Sequence, residues 1–223
     1  MPGSADSRRV DLRVQVAADG NAEVSAVERV QGLGAQEWRQ QLEQIDRSRL
    51  APLFEQQYLG VNVPGGSLQR LTLEGERGRG PLYLRYRFRV PNLCRRDRAG
   101  LRCGLGLFAP RLGPRYLGLA RRHTPLQLGF HPPTSVAIEL AAPRGYRVVD
   151  DVRPLRVASE FGRLEREVRY DPAMVEVRHT FRMDRWRIAP RRYREFARFA
   201  KRVDLASDVQ VVLELEPRSA VKR

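Results

Sequence analysis

Residues 82–90 read Leu-Tyr-Leu-Arg-Tyr-Arg-Phe-Arg-Val, with Pro91 directly after. Leu82, Leu84, Tyr86, Phe88 and Val90 fall on one side of an extended chain, and Tyr83, Arg85, Arg87 and Arg89 on the other. That period of two marks a strand with one apolar and one wet face, as in an antiparallel sheet covered on one side. The same alternation recurs upstream, where Val10, Leu12, Val14 and Val16 are separated by Asp11, Arg13 and Gln15. Asp19-Gly20-Asn21 is a tight-turn signal, and Val24, Ala26, Glu28 and Val30 follow as a less cleanly patterned return strand.

From Ala35 the period changes. Trp38, Leu42 and Ile45 recur at helical spacing, which predicts an amphipathic helix to about Arg49; a second short helix is expected over Pro52 to Tyr58. Leu71 and Leu73 begin a strand, and Gly75 to Gly80 reads as a flexible hairpin tip. Leu105–Phe108, Tyr116–Ala120 and Leu126–Phe130 are short strand candidates. Val136, Ile138 and Leu140 form another, continued by Tyr146–Val149. Leu155 to Tyr170 reads as a hairpin around Gly162, and Val175, Val177, Thr180, Phe181 and Met183 as one more strand. Pro190 opens a helix with an apolar stripe of Tyr193, Phe196, Ala197, Phe199, Ala200 and Val203. Val209, Val211, Leu213 and Leu215 close the chain as a strand. Many short strands between turns predict a mainly β fold: an antiparallel β-sandwich-type module with two or three short amphipathic helices. The expected organisation is one β-rich module over 8–216, with a softer division into 8–122 and 123–216 and flexible termini at 1–7 and 217–223. At 223 residues it buries a core without staples.

The formal net charge is +15. Residues 77–138 hold 13 basic residues and one acidic, and 185–202 hold eight and one, so two segments make the field. Arg85, Arg87 and Arg89 in the first and Arg191, Arg194 and Arg198 in the second are the candidate anion- or partner-binding surface. The blander reading is a solvated arginine face from a GC-rich genome, since only two of the 41 basic residues are lysines. Nucleic acid is the less favoured partner, because the aromatics that alternate with the arginines point to the opposite face and offer no stacking platform. No apolar run reaches bilayer-spanning length, and Met1 to Val10 has no signal-peptide stretch.

Catalytic chemistry finds little purchase. A nucleophilic cysteine needs a base and an orienting group, and nothing in the sequence brings His123, His131 or His179 to Cys94 or Cys103. The cysteine pair admits three states: a disulfide, two free thiols, or a thiol activated by Arg95, Arg96 and Arg102. The Cys and His spacings do not suit zinc. Asp150-Asp151 reads as a turn, and Gly75-x-x-Gly78-x-Gly80 lacks the Lys-Ser/Thr of a phosphate loop. No catalytic residue, metal or cofactor is expected.

The order of several motifs resembles a known family. Ala18-Asp19-Gly20 is followed by Gly34 with Glu37-Trp38-Arg39 and Leu42, then by Pro81-Leu82 and by Arg122-His123-Thr124-Pro125-Leu126. An Ile138-Glu139-Leu140 stretch runs on to Pro143 and Gly145-Tyr146, and Ile188, Pro190, Tyr193 and Phe196 end the series. This resembles the C-terminal β-rich domain, of unknown function, that follows the catalytic core in bacterial transglutaminase-like proteins. The resemblance implies a non-catalytic accessory module that makes interdomain or protein–protein contacts. It also implies an exported, periplasmic setting, in which a disulfide would fit, and a Cys-His-Asp core upstream of this chain. The alternative expectation is an arginine-rich module for a polyanion such as nucleic acid or another anionic surface.

Overall fold

The computed structural model describes residues 6–98, 100–149 and 152–216. The alternating stretches noted above become β1 (Ser7–Val16), β2 (Ala22–Gln31) and β4 (Leu82–Val90), with β3 (Ser67–Glu74) at the edge. Further along the chain, β8 (Thr134–Ala141), β10 (Leu155–Ser159), β11 (Gly162–Asp171) and β12 (Met174–Met183) join the same sheet. The eight strands run in the order β10-β11-β12-β8-β1-β2-β4-β3. Strands from both sides of residue 122 therefore share hydrogen bonds. Their seam is β1 against β8, with Val10 opposite Val136 and Leu12 opposite Ile138. That pairing is parallel, while the other ladders of the sheet are antiparallel as the alternation predicts; the connection between the two strands crosses from one end of the sheet to the other.

A smaller sheet holds β5 (Cys94–Asp97), β6 (Gly100–Gly104), β14 (Gln210–Leu215) and β9 (Tyr146–Val148), in the order β5-β6-β14-β9. Two residues each of β7 (Leu126–Gln127) and β13 (Arg187–Ile188) make a minimal ribbon. The first helical region comprises α1 (Leu33–Glu43) and α2 (Arg47–Leu53), the latter running on through a π-helical stretch, Phe54–Leu59, into one turn, α3 (Gly60–Asn62). Asp46 caps α2 by accepting from the Ser48 N–H, which is why the expected single helix breaks there. A turn of helix, α4, covers Leu112–Tyr116, and α5 spans Tyr193–Ser207.

Both apolar clusters lie on one face of the large sheet. Leu12, Val24, Leu84, Phe88, Ile138 and Val177 meet Cys103, Leu105, Val211 and Leu213 of the smaller sheet and its flank, together with Phe54 and Leu59. Towards β10, the residues Val157, Leu164 and Phe181 meet Phe196, Phe199, Ala200 and Val203 of α5. The opposite face carries Arg13, Glu23, Ser25, Arg85, Arg87, Arg89 and Thr180, all exposed.

Three expected strands differ. Leu105–Phe108 forms no ladder strand, although Leu105 N–H donates to the Val209 carbonyl at 2.7 Å. Tyr116–Ala120 is not extended: Tyr116 ends α4, whose first N–H groups, at Leu112 and Gly113, donate to the Asp204 carboxylate of α5. A cap delivered from 92 residues away leaves no trace in the local pattern. Leu126–Phe130 shrinks to the two residues of β7. The Gly75–Gly80 tip is tied down, since the Arg39 guanidinium of α1 donates to the Gly75 and Gly80 carbonyls. The Asp150-Asp151 pair and residues 1–5 and 217–223 of the expected flexible termini lie outside the described residues.

Candidate functional site

The two arginine rows are separated. Arg85, Arg87 and Arg89 stand on the open face of the large sheet, where Arg85 pairs with Glu74 at 2.8 Å and Arg89 with Glu23 at 3.0 Å. Arg194 and Arg198 are exposed on the side of α5 that faces away from its apolar stripe, Arg191 is exposed in the 3-10 turn that leads into the helix, and that stripe packs on the covered face. The rows thus look out from opposite sides of the molecule. Much of the positive charge on the sheet is met locally: Arg9 by Asp11 at 2.8 Å, Arg178 by Glu176 at 2.7 Å and Arg156 by Glu165 at 3.4 Å. Such exposed pairs contribute little stability but cancel much of the local field.

Cys94 and Cys103 face each other across β5 and β6 and are joined as a disulfide. Both are buried, and no cysteine is free. His131 sits half-buried beside Tyr116, whose hydroxyl meets its Nε2, and the same nitrogen lies 2.8 Å from the Leu128 carbonyl. His179 stands on β12 among Val175, Val177 and Phe181. Among the described residues no group of three His, Cys, Asp or Glu side chains is placed to hold a metal.

The polar chemistry of the interior gathers at the β1/β2 end of the covered face. Glu28 is fully buried on the apolar side of β2. Arg8 Nε donates to it at 2.6 Å, Arg8 Nη2 donates to the Tyr58 hydroxyl at 2.6 Å, and that hydroxyl in turn meets Glu28. The Tyr86 hydroxyl lies 3.4 Å from the same carboxylate. Burial works against the Arg8 charge, yet Tyr58 and Glu28 outweigh it and hold the guanidinium above its ordinary range. Burial pushes the Tyr58 and Tyr86 hydroxyls well up, so both stay protonated.

Next to Arg8 lies a cavity of about 130 Å³. Its polar lining is Arg8, Asn62, Arg115, His131, Thr134 and His179, and its apolar wall includes Phe108, Leu112 and Phe181. Phe108 and Arg111 bracket the wall segment, and both adopt left-handed backbone angles (φ 54° and 49°) without being glycine. His179 is 6% exposed and its Nε2 has no hydrogen-bond partner among the described residues. Burial, and then the charge of Arg166, lowers its pKa to about 4, so it is neutral at pH 7. His131 is lowered as well, by burial and then by Arg115.

The sequence reading missed this cluster. Arg8 and Glu28 continue the even-numbered apolar stripes of β1 and β2, and His179 occupies the odd-numbered stripe of β12. A lone polar residue in phase with a buried stripe was the available signal.

No helix among the described residues is long and apolar enough to cross a membrane. No curated protein and no solved structure matches the chain. Residues 110–213, just under half of its length, match a family model described as a domain of unknown function with a solved structure, DUF3858, so the stretch from α4 into β14 is similar to that domain while β1 to β6 lie outside the match.

Proposed function

We propose that this chain is a non-catalytic accessory module that offers the open face of its eight-stranded sheet to another domain or protein, the partner being a core of the transglutaminase-like kind. The observation that carries the reading is the one-sided construction. The smaller sheet, α5 and the Phe54–Leu59 segment all pack on a single face, and the other is left as a mosaic of arginine, glutamate and short polar side chains. A polar mosaic of both signs favours register and specificity in a contact over bulk attraction to a polyanion. The motif order described above supplies the kind of partner.

The test uses the purified chain and a purified transglutaminase-like core. Sedimentation velocity should show a complex, and reversing Arg13, Arg85 and Arg178 together to glutamate should abolish it without unfolding the chain. No association at any workable concentration, or an association indifferent to the reversal, overturns the docking face. Ammonia release from a glutamine peptide by the chain alone overturns the non-catalytic part. The polyanion reading needs its two arginine rows on a shared surface, and their placement on opposite sides counts against it.

A further inference from the structure

We propose that the cavity between Arg8, Arg115 and His179 is a binding site for a small oxyanion, of the size of phosphate or a short-chain carboxylate. The site is assembled from distant stretches. Arg8 comes from β1, Asn62 from α3, Arg115 from α4, His131 and Thr134 from the approach to and first residue of β8, and His179 from β12. The β1/β8 seam of the large sheet is what brings them together.

Three observations define the ligand. The first is charge. Two arginines line the cavity and no aspartate or glutamate does; Arg8 is ion-paired with Glu28, and Arg115 has no carboxylate partner among the described residues. Glu28 and Tyr58 engage Nε and Nη2 of Arg8, which fixes the guanidinium plane, and Nη1 makes no hydrogen bond among the described residues. A planar, pre-oriented guanidinium with a spare N–H suits an oxygen acceptor. The second is the unpartnered Nε2 of His179, a polar atom buried without a hydrogen bond where native interiors rarely leave one. A bound oxygen supplies the missing partner. The third is size and shape. The cavity is slightly smaller than the roughly 150 Å³ cavity that accepts benzene, so the ligand has about six non-hydrogen atoms or fewer. Phe108, Leu112 and Phe181 give one wall that is apolar, against which the alkyl end of a carboxylate packs. Access comes through the rim, where Arg115 is exposed and Asn62, Ala109, Pro110 and His131 are half-buried.

The charged and titratable groups that face His179 are Arg166 from β11, Arg8 from β1, Arg115 from α4 and His131 from the segment before β8. Arg8 is ion-paired with Glu28, Arg166 and Arg115 are cations, and His131 is a neutral imidazole. An oxyanion bound among them adds negative charge beside both imidazoles, which then bind protons more readily.

The experiment follows the imidazole carbon–proton signals of His131 and His179 in the full chain by NMR, at constant ionic strength maintained with sodium chloride. One arm titrates inorganic phosphate and the other propionate. The expected result is a saturating shift in at least one arm, with the His179 titration moving up by about one unit or more at saturation. Saturation by phosphate alone identifies a tetrahedral oxyanion, and saturation by propionate a carboxylate. Arg115→Gln, at an exposed position that leaves the fold intact, should weaken the apparent Kd by about tenfold. Linear, non-saturating shifts in both arms overturn the proposal, as does an Arg115→Gln protein whose Kd stays within about twofold of the parent. The site stands independently of the docking reading.

Discussion

The two faces of the eight-stranded sheet are made by the same strands and differ by one residue of phase. On the open face, charged groups are abundant and cheap: Arg85, Arg89, Arg9 and Arg178 each meet a neighbouring carboxylate, and water screens the rest. On the covered face they are few and consequential. Arg8 and Glu28 are bound to each other and to Tyr58, while His179 lacks a partner for Nε2. The number of charges says little about where charge matters, because the strength of a charge interaction scales with its removal from water.

The largest effect is expected from Glu28→Leu. It leaves the Arg8 guanidinium facing an apolar core, and urea unfolding should show a loss of about 3 kcal/mol, at the low end for a broken buried pair because 22% of the Arg8 side chain reaches solvent. Adding Arg8→Met should recover a good part of that loss, so the double variant falls well short of the sum of the singles. His179 gives an effect of similar size that depends on pH. Its folded pKa of about 4 lies below the ordinary 6.5, so between those values the unfolded chain binds more protons. The stabilisation from keeping it neutral is complete above about pH 6.5 and is lost as pH falls towards 4, by up to about 3 kcal/mol. Unfolding followed from pH 7 to pH 4 should show this slope, and His179→Leu should flatten it.

The disulfide comes next. Closing a loop of about ten residues restricts the unfolded chain by roughly 2.5–3 kcal/mol, so the Cys94→Ala, Cys103→Ala double variant should unfold at correspondingly lower urea. The smallest effects belong to the open face. Arg85→Ala and Arg89→Ala should each change stability by about 0.5 kcal/mol or less, since both partners of each pair are about half exposed. If either open-face variant costs as much as Glu28→Leu, the contrast between the faces fails.

The disulfide illustrates how sequence and structure divide the work. The spacing of Cys94 and Cys103 left their state open, because ten residues can close a loop or run straight on. Pairing β5 with β6 in a register that sets the two residues opposite each other decides it. The arginine rows show the converse. Alternation put Arg85, Arg87 and Arg89 on a wet face, where they stand, but could not say that Arg191, Arg194 and Arg198 lie on the far side of the molecule. That depends on which face of the sheet α5 covers. His179 is legible in principle, two residues from Val177 in the same stripe, whereas Thr180 falls half a period out of phase with it.

The amino-acid order by itself settled the mainly β character, the strands with one greasy side, the amphipathic C-terminal helix and the excess of arginine. These follow from periodicity and local turn chemistry, which act over a few residues. The tertiary structure alone decided the parallel seam of β1 with β8, the cap that Asp204 gives α4, and the cavity that Arg8, Arg115 and His179 share. Those depend on contacts between residues far apart in the chain, and such contacts form only once the burial of the apolar faces has chosen which strands are neighbours.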